Sequence, residues 1–259
     1  MKHLGEYKSK ISFSKHNRVF FFVLILFVGM TIRISYYCLN PILNRDSILY
    51  CEIAQKWHET NSSKTALESR VGETPFGYIY VLKKGVDWGI PVETWGRFVG
   101  ITASLFYLIS VYAIGLMLFQ GYGAEILLLL ASIQPATAQF ALTLLRDPLC
   151  LAFYTFSILA LLKIFSKKNS LWVIAFTISS TLAFFLRYEA FELILLFFLL
   201  SGFSLIKNHD LKRFCLSGGI CLSGFFLLSI VLLLFLEIPY QKILFDPISK
   251  IKSIIPIQF

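Results

Sequence analysis

The chain has 259 residues, of which 57% are hydrophobic and only 15% charged, with a formal net charge of +9. This composition excludes a soluble globular domain, and continuously apolar stretches of 18 or more residues exclude a β-barrel, whose strands alternate. The surplus of Lys and Arg is accounted for by loops that orient membrane helices, so no nucleic-acid partner is implied.

Residues 1–18 form a basic tail with Lys2, Lys8, Lys10, Lys15 and Arg18. The apolar run that follows is too long for the hydrophobic region of a signal peptide, and no small-x-small cleavage site comes after it. It reads as a retained first span, about 19–39. A polar outer loop, 40–94, then carries two short helical pieces near 45–58 and 76–88. Further spans are expected at about 95–119, 124–143, 148–165, 170–186, 190–206 and 214–236, with a mixed tail at 237–259. The sequence thus predicts an all-α polytopic transmembrane helix bundle of about seven spans, with short juxtamembrane helices in its long first extracytoplasmic loop.

Orientation follows from the short basic loops. The N-terminal tail, Lys163 with Lys167 and Lys168, and Lys207 with Lys212 and Arg213 fall on one side when seven spans alternate. The positive-inside rule makes that side cytoplasmic. The expected location is the inner (plasma) membrane, with the N-terminus cytoplasmic and the C-terminus outside. Asp46, Arg146, Asp147, Arg187 and Glu189 then share one outer surface.

Charges at membrane depth are costly, so they pair, snorkel or serve a function. Arg33 lies roughly 22 Å along span 1 at 1.5 Å per residue. It reads either as a snorkelling side chain or as a group facing an outer cavity. Guanidinium groups suit a phosphate, through paired N–H donors, and a free carboxylate suits general-base work. His3, His16, His58 and His209 form no Ser-His-Asp pattern, and no HExxH or Gly-rich phosphate loop occurs. Asp46 has no carboxylate at i+2, so no metal or other cofactor is expected, although a need for a divalent ion stays open. The five cysteines show no CxxC spacing and read as small packing residues. The residues alone point to an outer-face site for an anionic, lipid-linked substrate.

Each residue also has a structural reading. Asp46 is either a catalytic base or the N-cap of the 45–58 helix. Arg45 is a phosphate ligand or a local ion-pair partner. Arg146 and Asp147 either contact substrate or open a helix that has Pro148 at its first position. Arg187 contacts phosphate or pairs locally with Glu189. Glu52 belongs to a solvated face, Lys83 and Lys84 snorkel, and Trp57, Trp88 and Trp95 sit in an interfacial belt.

Several stretches together resemble the GT-C superfamily of polytopic glycosyltransferases, in particular its protein O-mannosyltransferase and aminoarabinose transferase-like branch. They are "GMTIRISYYCL", "RDSILYCEIAQKW", "TPFGYIYVLKKGVDWGIPVETWGRFVGI", "ASIQPATAQFALTLLRDPLCLAFY" and "FFLRYEAFELI", covering about 18–206 in order. The resemblance implies inverting transfer of a sugar from a polyprenyl-phosphate donor to a lipid, protein or glycan acceptor on the extracytoplasmic side. It implies Asp46 as the base, and Arg33, Arg45, Arg146, Asp147, Arg187 and Glu189 around the substrate. Members of that family carry more spans and often a soluble outer domain after the seventh. The chain therefore reads as a truncated frame, a minimal module, or a remnant that works with a membrane protein partner. The competing reading is a non-catalytic membrane subunit of an envelope glycan system.

Overall fold

The computed structural model describes residues 15–39, 44–62, 76–167, 170–208 and 211–235. The expected basic tail before residue 15, the part of the outer loop between 63 and 75, and the tail from 236 onward lie outside the described residues. Among the described residues every regular element is a helix. In chain order they are α1 (Lys15–Leu39), α2 (Arg45–Thr60), α3 (Phe76–Asp87), α4 (Val92–Leu118), α5 (Gly123–Ile133), α6 (Pro135–Phe140), α7 (Asp147–Lys167), α8 (Ser170–Leu186), a 3-10 turn (Tyr188–Phe191), α9 (Glu192–Asn208) and α10 (Leu211–Phe235).

Among the described residues three segments are long and apolar enough to cross a membrane: Asn17–Leu39, Val92–Leu118 and Asp147–Ser166. Gly123–Ile133, Leu171–Leu186 and Leu216–Leu232 are shorter apolar helices. Large apolar side chains such as Phe20, Phe27, Phe98 and Leu227 on these helices, and Leu199 and Phe203 on α9, are exposed, which is compatible with a lipid environment.

The helices form a row in which α1 packs on α5, α5 on α4, α4 on α7, α7 on α8, α8 on α10 and α10 on α9. Small residues permit the close approaches. Ser157 on α7 and Ser179 on α8 meet at 2.7 Å, one hydroxyl donating to the other, while the second donates to a carbonyl of its own helix. A Cβ on Gly29 of α1 would stand 2.8 Å from the Ser132 side chain, so α1 reaches α5 only because that position lacks one. Near the opposite end of α1, Arg18 donates to both oxygens of the buried Glu125, at 2.8 and 3.3 Å, and Tyr112 adds a third bond at 3.2 Å.

The amphipathic α2 buries Ser47, Tyr50, Cys51, Ile53, Ala54 and Trp57, spaced as one face of a helix. It ends at Asn61 in the left-handed conformation, a common C-terminal stop. That face lies on α3, with Tyr50 against Tyr78 and Trp57 against Tyr80.

One expectation is corrected. The apolar run at 124–143 is not a continuous helix, because it breaks at Gln134, whose ψ of 115° is extended. Pro135 explains the break. Its ring disfavours a helical residue before it, and it has no N–H to give to Ala131.

Candidate functional site

Residues 141–146 lead from α6 to α7 and sit against α4. A Cβ on Gly100 would collide with the Ala141 carbonyl, so only glycine lets the turn come this close. Leu144 adopts φ +54° at 2% exposure, a conformation that its burial holds in place. Ser47, in the first turn of α2, donates to the Thr143 carbonyl and brings the start of α2 to this turn.

The charges gather here. Asp147 opens α7, and Arg187 Nη1 donates to its Oδ1 at 2.7 Å. Arg187 Nε lies 3.6 Å from Glu189 Oε2 in the 3-10 turn. Tyr154 donates to Glu192 Oε1 at 2.7 Å, which ties α7 to the start of α9. Burial alone would raise the Glu189 carboxyl. Its own backbone N–H and the charges of Arg187 and Arg146 outweigh that effect and hold it below the usual carboxylate range.

The structure brings most of the expected residues together around one phenol. The Tyr50 hydroxyl lies within electrostatic reach of Arg146, Asp46, Asp147 and Arg187. Burial pushes this hydroxyl up, with Arg146 opposing it. Asp46 is exposed in the first turn of α2, where the N-cap is Asn44 rather than Asp46. Neither Asp46 nor Arg146 forms an ion pair among the described residues. Arg45 is exposed beside Asp46.

Arg33 is placed differently from both readings of its sequence. It neither snorkels nor lines the cavity, and it is fully buried at 0% exposure. Its Nη1 donates to the carbonyls of Gly29 and Ser132, both at 3.0 Å. Its Nη2 reaches Ala131 O at 3.4 Å and Thr137 Oγ1 at 3.5 Å. The guanidinium therefore caps the end of α5 and takes the carbonyl that Pro135 leaves open. The α5 dipole offers partial negative charge at that end.

Between α4, α6, α7 and the 3-10 turn lies a cavity of about 320 Å³. Asp147, Arg187, Glu189 and Glu192 line its charged side, and Ser104, Tyr107, Thr137, Phe140, Cys150, Leu151 and Tyr154 line the remainder. The sequence reading missed Ser104, Tyr107, Thr137 and Glu192. A polar residue inside an apolar span carries no sign of which neighbour it faces. The available signal was Pro135, whose break turns α6 and Thr137 into a cavity wall.

A second charged group joins α2 to α3. Lys83 Nζ donates to Asp87 Oδ1 at 2.8 Å and Oδ2 at 2.7 Å, and His58 Nδ1 lies 2.8 Å from Oδ1. Burial raises the Asp87 carboxyl, but hydrogen bonds from Lys83 and His58 overcome this and lower it overall. No group of three or more potential metal ligands occurs among the described residues.

Among its described residues the chain is thus all-helical, with three helices long and apolar enough to cross a membrane and a charged cavity among its helix ends. Searches against family models, curated proteins and solved structures find no match to it.

Proposed function

We propose that the chain is a seven-span membrane glycosyltransferase that moves a sugar from a polyprenyl-phosphate donor to an acceptor on the extracytoplasmic face. The spans are α1, α4, α5 with α6, α7, α8, α9 and α10, and the cytoplasmic side carries the basic loops. The observation that carries this reading is the cavity. It joins a charged end to an apolar wall, as a lipid-linked sugar requires, and Asp46 and Arg146, which do not line it, lie within electrostatic reach of Tyr50, as do the lining residues Asp147 and Arg187.

In this reading the Asp46 carboxylate takes the proton of the acceptor hydroxyl. The acceptor oxygen attacks the anomeric carbon from the face opposite the phosphate. The bond from that carbon to the phosphate oxygen breaks, and the electron pair leaves with the lipid phosphate. Arg187 is already paired with Asp147 and Glu189, so it is not free to face that developing charge. Preorganised donors facing developing charge contribute several kcal/mol in other enzymes, ~3 kcal/mol for one such group.

That pairing of Arg187 also favours a second reading, a non-catalytic membrane subunit whose charges serve packing. Asp46→Asn separates the two. Loss of glycan transfer in membranes with normal levels of the variant supports the enzyme, and unchanged transfer supports the subunit.

A further inference from the structure

Ser104 and Tyr107 lie nearly one turn apart on α4, and both line the cavity. Hydroxyls within helices commonly bond back to their own backbone, as Thr102 does to Phe98 O at 2.8 Å. Ser104 does not, although it is only 4% exposed. Neither its hydroxyl nor that of Tyr107 has a hydrogen-bond partner among the described residues. Neither oxygen is among the fully buried unpartnered atoms, so both hydroxyls open on the cavity, where they are available to bond a ligand.

The charge behind this wall is positive. Arg33 touches Thr137, which lines the same cavity, and it lies within electrostatic reach of the Tyr107 hydroxyl. Its Nε has no partner, and no carboxylate pairs with it among the described residues. Backbone carbonyls satisfy its other donors without neutralising its full charge. The other end of the cavity has the opposite character, since Asp147, Glu189 and Glu192 there face Arg187 as the one lining cation. The cavity is therefore polarised, with a cation-backed floor and a rim rich in carboxylates.

We infer that the floor is a separate anion site, which takes a phosphate ester on the Ser104 and Tyr107 hydroxyls with Arg33 as the buried counter-charge. The rim then receives the hydroxyl-rich part of the same ligand. Tyr107 also borders a second, apolar groove of about 350 Å³ between α4 and α5, lined by Val111, Ile114, Leu127 and Leu130, and in this assignment that groove takes the hydrocarbon chain. The inference rests on the glycosyl-transfer reading for the identity of the lipid, and on geometry for the phosphate. It also sets the leaving phosphate at the end of the cavity away from the charged rim, as inversion requires.

The test is a titration of the full chain in lipid nanodiscs with polyprenyl phosphate, the matching polyprenol and inorganic phosphate, read by native mass spectrometry. Wild type is expected to prefer the phosphate over the alcohol by at least about tenfold. Tyr107→Phe and Ser104→Ala each remove one oxygen, and each should lower phosphate affinity by roughly tenfold at unchanged thermal stability. Their combination should erase the preference for phosphate. Equal binding of phosphate and alcohol by wild type overturns the site, as does a preference that survives in the double variant. Displacement of the lipid by equimolar inorganic phosphate overturns its lipid-linked form. Floor-dependent binding without any sugar transfer keeps the site and removes only the glycosyl-transfer reading.

Discussion

The Arg187 guanidinium meets Asp147 Oδ1 at 2.7 Å across 40 positions of sequence, joining the end of α8 to the start of α7 at the charged side of the cavity. Both side chains are more than a third exposed or close to it, at 39% and 34%. Solvent screening therefore limits the value of the pair to about 0.5–1 kcal/mol. Asp147→Asn and Arg187→Gln should each lower thermal stability by only a few degrees. A double-mutant cycle should return a coupling of the same small size. If the site is used, sugar transfer falls far more than stability does, and comparing the two measurements separates function from packing.

The turn that carries Arg146 depends on a missing side chain. Gly100→Ala would drive a methyl group into the Ala141 carbonyl, and backbone cannot swing aside as a side chain can. Overpacking of this kind costs about 1–3 kcal/mol. The variant should show reduced thermal stability and a displaced 141–146 turn. Unchanged stability would mean that α4 and this turn do not pack as described.

Asp87 gives a pH signature. Its carboxyl is lowered in the folded chain, so its pairing with Lys83 and His58 contributes stability above the unfolded carboxylate value, about pH 4. That contribution is lost as pH falls through the lower folded value. Thermal unfolding of wild type followed from pH 6 to pH 3 should show a drop below about pH 4 that is smaller in Asp87→Asn. A wild-type profile parallel to that of the variant would rule out the cluster as a stabilising contact.

The sequence was informative where polar residues interrupt apolar runs. "QGYG" and "RYE" mark helix ends that the structure places at Leu118 and Leu186, and the two short helices expected in the outer loop occur at Arg45–Thr60 and Phe76–Asp87. The gathering of Asp147, Arg187 and Glu189 was also foreseeable, because chain alternation alone puts their junctions on one side. Neither the break at Gln134 nor the position of Arg33 could be read the same way. An apolar span is hydrophobic all round and has no periodic face to show which neighbour each residue meets. Pro135 was visible, but proline inside a span is tolerated when other groups satisfy the freed carbonyls. Here those groups come from Arg33, about a hundred residues away, and local pattern does not reveal such a distant partner.

That partnership yields the most discriminating prediction. Arg33→Leu leaves the Ala131 and Ser132 carbonyls buried without their donor, at about 1–3 kcal/mol each. Pro135→Ala restores an N–H in position to bond Ala131 O, so it relieves part of that penalty. The double variant should therefore be more stable than the sum of its two single changes by about 1 kcal/mol or more, a coupling expected only for residues that share a partner. Chemical or thermal unfolding of the four proteins in one detergent measures it. Strict additivity would mean that Arg33 does not cap the break. With the α5–α6 junction straightened, Thr137 would leave the cavity wall, so the double variant should recover stability without recovering phosphate binding.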